Sequence, residues 1–245
     1  MTANMAPCRG CGETRKLIRA HIIPESFCIR LVREGAPAKV VGPNEYVKNS
    51  HTGIYDSTIL CESCEGKFSL PDDYAQDLLL KKKNTFEPVV VNGELSAEIA
   101  KDYDHALLHR FILAVLWRAS VSSQNFFKDV DLGSHQQSIK ELAFGEKNAS
   151  DYPFWAGKLL HTTADNMMLA HVRKKIDGVN YWGVYVGDFH FWVKVDSGRS
   201  IPTSMLDVHA KPDSSLIIVC RNLIGSPEHR AAIQAARLRK VGKSE

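Results

Sequence analysis

Apolar residues recur at helical spacing most clearly between Tyr103 and Ser120. There Leu107, Leu108, Phe111, Ile112, Val115, Leu116 and Ala119 share one face, which predicts an amphipathic helix laid on a core. Period two governs residues 180–195. Val184 and Val186 alternate with Tyr185, and Phe189, Phe191, Val193 and Val195 alternate with His190, Trp192 and Lys194. That pattern predicts a hairpin around Gly187-Asp188. A second hairpin joins Val89-Val90-Val91 to Leu95–Ile99 through Asn92-Gly93. Residues 134–144 read as a shorter helix and Leu216–Val219 as a short strand. Ser226-Pro227-Glu228 has the capping order of a terminal helix that ends in Arg237, Arg239 and Lys240.

The first eighty residues are more broken. Leu17–Ile23 reads as a strand entering His21, and Pro24 disfavours helix at Ile23. Residues 25–34 suit a short helical turn with Phe27, Ile29 and Leu31 partly buried. Gly35–Ser50 is loop-like, with strand fragments at Val40-Val41 and Tyr46-Val47. A helix starting at Cys61 and another from Leu70, with Pro71, Asp72 and Asp73 in its first turn, complete this part. Lys81–Asn84 is a basic, polar break. It divides an N-terminal module, residues 1–84, from a C-terminal domain, residues 85–245. The expected class is α+β, with helices around a small antiparallel sheet in the second part.

A composition of 44% hydrophobic and 24% charged residues excludes a disordered chain. The longest apolar stretch, Phe111–Trp117, is too short to span a bilayer, and Met1–Pro7 lacks a secretory pattern. A cytoplasmic protein is expected. The net charge of +3 is uneven: residues 1–50 carry a balance of +4, residues 51–227 of −4 and residues 228–245 of +3. Positive charge at the two ends is compatible with a polyanion such as nucleic acid.

The chemistry concentrates in two Cys-x-x-Cys pairs, Cys8 with Cys11 and Cys61 with Cys64. Two such knuckles supply four thiolates to one tetrahedral zinc ion. Two redox pairs are the alternative. A helix opening at Cys61 would put its thiolates at the positive helix end. Cys28 and Cys220 lie in apolar surroundings and read as buried free thiols.

With Ala20-His21-Ile22-Ile23-Pro24 between the knuckles and Ile59-Leu60 before the second, residues 8–70 resemble an HNH endonuclease of the zinc-stapled kind. In that family a ββα-metal core sits inside a treble-clef zinc finger. The chain also resembles a group of bacterial and phage-associated HNH-like proteins, with which it shares Leu116-Trp117-Arg118-Ala119-Ser120. The resemblance implies DNA phosphodiester cleavage in genome conflict or phage defence. By it, His21 is the general base, Glu65 a ligand for catalytic magnesium or manganese, and Asp56 the residue in place of the central Asn that steadies the loop. Ala20 departs from the pattern, since the family has a metal-binding Asp there. Glu25, Asp56 or His51 is left as a substitute ligand.

Two other readings stand beside the nuclease. One is a catalytically inactive zinc-finger module that binds nucleic acid or a protein partner. The other is an assembly or regulatory subunit, including a homo-oligomer. Trp117-Arg118 suits a core tryptophan with a structural arginine. The aromatic residues Tyr181, Trp182, Tyr185, Phe189, Phe191 and Trp192 suit either packing on the long helix or base stacking. The basic runs Lys81–Lys83 and Arg173–Lys175 suit a solvated surface or phosphate contacts.

Overall fold

The computed structural model describes residues 5–29, 38–41, 48–50, 52–146, 151–160, 167–223, 226 and 230. The expected strand fragment Tyr46-Val47, residues 30–34 of the expected first helix, His51 and nearly all of the expected terminal helix lie outside them.

The chain opens with a hairpin of β1 (Met5–Pro7) and β2 (Thr14–Lys16), followed by β3 (Ala20–His21) and α1 (Glu25–Ile29). Then come β4 (Ala38–Val41), β5 (Lys48–Ser50), β6 (Tyr55–Asp56), α2 (Glu62–Glu65) and α3 (Ser69–Gln76). Only two residues of the expected strand Leu17–Ile23 pair as a strand, because its contacts change partner along its length. Ile18 donates to Leu60, β3 pairs with β6, and Ile22 donates to Ile54. Phe27 is buried as expected, but Ile29, at the end of a helix of five residues, is 54% exposed. The two expected helices after Cys61 run together through a 3₁₀ turn at Gly66–Phe68. A π turn at Asp77–Lys81 and a 3₁₀ turn at Lys82–Thr85 follow.

The second part begins with the expected hairpin, β7 (Glu87–Val91) and β8 (Glu94–Ala100). Asn92 at φ 52 and Gly93 at φ 81 give its turn the twist that two-residue hairpins need. Next are α4 (His105–Val121), α5 (Gln136–Ala143), β9 (Phe154–Leu160), β10 (Met167–Leu169) and β11 (Val172–Ile176). β12 (Val179–Val186), β13 (Phe189–Lys194) and β14 (Leu216–Asn222) close the order. Asp104 caps α4 by accepting from the Leu107 amide at 2.9 Å.

The fold is mixed α/β, and its sheet is larger than expected. Seven strands run in the order β11-β12-β13-β9-β14-β8-β7. Every neighbouring pair is antiparallel except β9 with β14. A three-stranded sheet of β10, β4 and β5 joins the two halves of the chain.

The long helix is buried on every side from Leu108 to Ala119 apart from a partly covered Arg110, not on one face alone. It packs against α3, α5 and β12. Such a helix is the centre of a core rather than its lid. Residues on both sides of Lys81–Asn84 share one buried cluster, and Phe27 stacks on Phe111 of α4 with ring centroids 5.7 Å apart. Trp182, Phe189 and Phe191 face that cluster. Tyr181 and Trp192 pack with Trp155 on the other face of the sheet. All these side chains except Trp155 are at most 5% exposed, so the aromatic hairpin is packing and not an open stacking platform. Among the described residues no helix is long and apolar enough to cross a membrane.

Candidate metal centre and adjoining histidine site

The β1–β2 hairpin carries the first knuckle at its turn. The Cys8 amide donates to the Glu13 carbonyl and the Gly12 amide to the Cys8 carbonyl, which folds Cys8–Gly12 into a tight loop. Gly12 has φ +79, and a Cβ on Gly10 would lie 2.7 Å from the Cys64 sulfur. Both glycines are therefore demanded, one by the turn and one by the approach of the second knuckle. Cys61 is the N-cap of α2, and Cys64 lies one turn later. The ligand atoms of Cys8, Cys11, Cys61 and Cys64 all lie within 4.8 Å of one another. Four sulfurs at that spacing can hold a tetrahedral metal ion such as zinc.

The surroundings suit thiolates. The Cys61 amide donates to the Cys8 sulfur at 3.3 Å, and Ser63 Oγ lies 3.3 Å from the Cys61 sulfur. Burial pushes the Cys61 thiol up, but hydrogen bonds from Ser63 and the Cys64 backbone outweigh it and bring it to about 6. Burial, then the neighbouring Cys61 and Cys8 sulfurs, push Cys64 upward. Four clustered sulfurs do not all ionise without a cation between them, so the donor set fits a divalent ion. The other two cysteines are buried: burial pushes Cys28 up to about 12 and Cys220 up to about 11. That is the inert thiol chemistry expected of them.

Beside this centre, β3 and β6 form a two-stranded pair in which Ala20 faces Asp56 and His21 faces Tyr55. The helical run from Cys61 follows directly. His21 is half-buried, its ring bonded to the Thr52 backbone and its Nε2 buried without a partner. Desolvation is the main influence lowering its pKa; Glu25 opposes this, while Arg19 and Arg118 reinforce it. A neutral imidazole at pH 7 with an unengaged Nε2 is a competent proton acceptor.

Glu65, the first residue after Cys64, accepts a hydrogen bond from the His21 backbone and has a buried, unpartnered Oε2. Burial raises its pKa and Arg118 counters this. Asp56 is fully buried, and its two oxygens accept five hydrogen bonds from Thr58, Ser122 and Ser123. Burial pushes its carboxyl up, and those donors more than reverse the effect. No oxygen of Asp56 is spare for a metal; it ties β6 to the end of α4. Ala20 is fully buried and offers no donor. Among the described residues, the cysteines alone bring three or more metal-ligating side chains together.

Two residues of this site carried no predicted role in it. Arg118, fully buried in α4, makes a two-pronged pair with Asp72 of α3, at 2.9 and 3.0 Å. Its guanidinium also lies 4.9 Å from the Phe68 ring centroid. The sequence signal was an arginine inside an apolar helical run, which requires a buried carboxylate nearby. Asp72→Asn is expected to destabilise the protein by about 3–5 kcal/mol by leaving Arg118 buried and unpaired. Asp72→Leu combined with Arg118→Met should cost much less. Urea unfolding of the two variants beside wild type checks this, and equal losses would mean the pair is not the cause.

No protein-family model, no curated protein and no solved structure matches this chain.

Proposed function

We propose that the protein is an HNH-like, metal-assisted endonuclease that cleaves DNA phosphodiester bonds, in bacterial or phage genome conflict. In this reading the N-terminal part is a treble-clef module, with zinc as the ion of its four cysteines. One observation carries it. A histidine with an unengaged Nε2 and a carboxylate with an unengaged oxygen meet where the zinc knuckle, a two-stranded pair and a helix converge.

His21 takes the proton from the attacking water at Nε2 while the Thr52 backbone holds the ring in place. Its lowered pKa keeps it unprotonated at neutral pH. Glu65 Oε2 is the residue oxygen fitted to a hard divalent cation, which when bound stabilises charge on the phosphate and the leaving oxygen. Among the described residues Ala20 offers no donor and Asp56 no spare oxygen. Magnesium or manganese can be held by one or two carboxylates and complete their shell from water and substrate phosphate. Asp56 acts through structure, fixing the strand beside His21.

The test is nicking of supercoiled plasmid with added magnesium or manganese. His21→Ala should slow it by ~10²-fold or more with zinc content and folding unchanged. A second reading is favoured by Ala20 and by the burial of the His21 Nε2: a binding module without catalysis. Wild-type protein that shifts DNA in a salt-dependent way yet nicks nothing with either ion would establish that reading instead.

A further inference from the structure

Arg19 is exposed, yet its side chain is fixed. Its guanidinium carbon lies 3.5 Å from the Tyr55 ring centroid, and Nη2 donates to Thr52 Oγ1 at 3.0 Å. Among the described residues no carboxylate pairs with it. Tyr55 is also the cross-strand partner of His21, whose ring meets it edge-on at 6.2 Å between centroids. Thr52 likewise serves both residues, binding the His21 ring through its backbone and Arg19 through its hydroxyl. One tyrosine and one threonine thus hold the cation and the imidazole together. No more than about 10 Å separates them, close enough for the two groups to face neighbouring phosphates of one strand.

We propose that Arg19, held on Tyr55 and Thr52, is the phosphodiester clamp of the His21 site. It would grip a phosphate beside the one attacked. This inference rests on the reading that His21 works on a phosphodiester. Three features support it. An exposed arginine normally loses rotamer freedom when it binds, and here the stack has already fixed it. One of its five N–H donors is used by Thr52, so the fork that matches phosphate oxygens is largely free. Ala20, adjacent to it, adds no negative charge against an incoming phosphate. Glu25, on α1, is the acidic group that acts on His21 from the neighbouring element, with Arg118 opposing it from α4.

The experiment uses the zinc-loaded full chain carrying His21→Ala, so that binding is read without cleavage. The probe is a fluorescein-labelled DNA duplex, followed by anisotropy over a salt series without added magnesium or manganese. Arg19→Ala should weaken binding by ~10-fold and reduce the salt slope by about one. Arg19→Lys should keep the slope but not the affinity, because an ammonium lacks the fork. Tyr55→Leu should lower affinity with the slope unchanged. Unaltered affinity and slope in Arg19→Ala would overturn the clamp, even if the wild-type chain nicks DNA. A weakened Arg19→Ala in a protein that never nicks DNA would uphold Arg19 as a phosphate contact beside His21 and overturn the catalytic reading alone. A parent chain without salt-dependent DNA binding would overturn the clamp.

Discussion

Purified protein is expected to contain one zinc ion per chain, and stripping it with a strong chelator is expected to unfold the N-terminal segment. Residues 5–16 have little to hold them otherwise, since β1 and β2 are three residues long and mostly exposed, whereas Leu17, Ala20, Ile22, Ile23 and Phe27 are anchored in the main core. The two knuckles are far apart in sequence but share one sulfur cluster, so the ion closes a long loop as well as filling a charge vacancy. Structural zinc sites contribute about 10–16 kcal/mol in zinc-finger peptides at neutral pH, comparable to the whole net stability of a domain. Cys61→Ser or Cys64→Ser should abolish stoichiometric zinc and give a chain whose N-terminal amides exchange freely. Cys11→Ser should be milder, because Cys11 is the exposed member. Elemental analysis with hydrogen exchange reads both effects. A metal-free protein with a protected N-terminal segment would refute the zinc assignment.

That centre was legible because spacing alone specifies it: two turns, two thiolates each, and glycines where backbone must pass close to sulfur. The hairpins at Asn92-Gly93 and Gly187-Asp188 were legible for a similar reason, since turn chemistry is local. Arg173–Lys175 read as a solvated surface, and they are exposed; what escaped is that they belong to β11, paired to β12 through Asp177-Gly178 at φ 46 and 82. The Asp-Gly signal was present, but the basic side chains masked the period. β9 escaped because it sits between two strands and is covered on both faces, which erases alternation. The all-round burial of α4 escaped because its polar members are satisfied by distant partners, Arg118 by Asp72 and His109 by the Tyr152 carbonyl.

The site beside the four cysteines divides in the same way. Motif position led to His21, Glu65 and Asp56, and the three gather around β3, β6 and the end of α2. Motif position could not tell that Asp56 is saturated by Ser122 and Ser123, which lie more than sixty residues away in sequence. Nor could it reveal that Tyr55 is a shared platform for Arg19 and His21. The resemblance ended near residue 70, whereas the fold does not. The end of α4 buttresses the strand that faces His21.

Acid is expected to unfold this protein partly through two core histidines remote from the site. Burial lowers His171 to about 3 and His109 to about 4. His171 Nδ1 accepts from the Tyr185 amide at 3.3 Å, so that nitrogen carries no proton in the folded state. His109 is stacked on Phe154 and bonded through Nε2 to the Tyr152 carbonyl. Both therefore stay neutral in the fold while the unfolded chain takes up protons below about pH 6.5. The unfolded state then binds more protons, so stability falls as pH falls from about 6.5 towards 4. Each histidine contributes a loss of about 3 kcal/mol over that window. Glu65 and Asp72, whose pKa values are raised, act in the opposite direction at pH values just above the usual carboxylate range, where the fold holds protons that the unfolded chain has lost. Protonation of the sulfur ligands adds to the loss, so the wild-type profile alone does not isolate the histidines. His171→Leu and His109→Gln do, because neither replacement can take up a proton in the unfolded chain. Urea midpoints at pH 7 and pH 4.5 should differ less in each variant than in wild type, and least in the double variant. An unchanged difference in the double variant would mean that both histidines already accept protons within the fold.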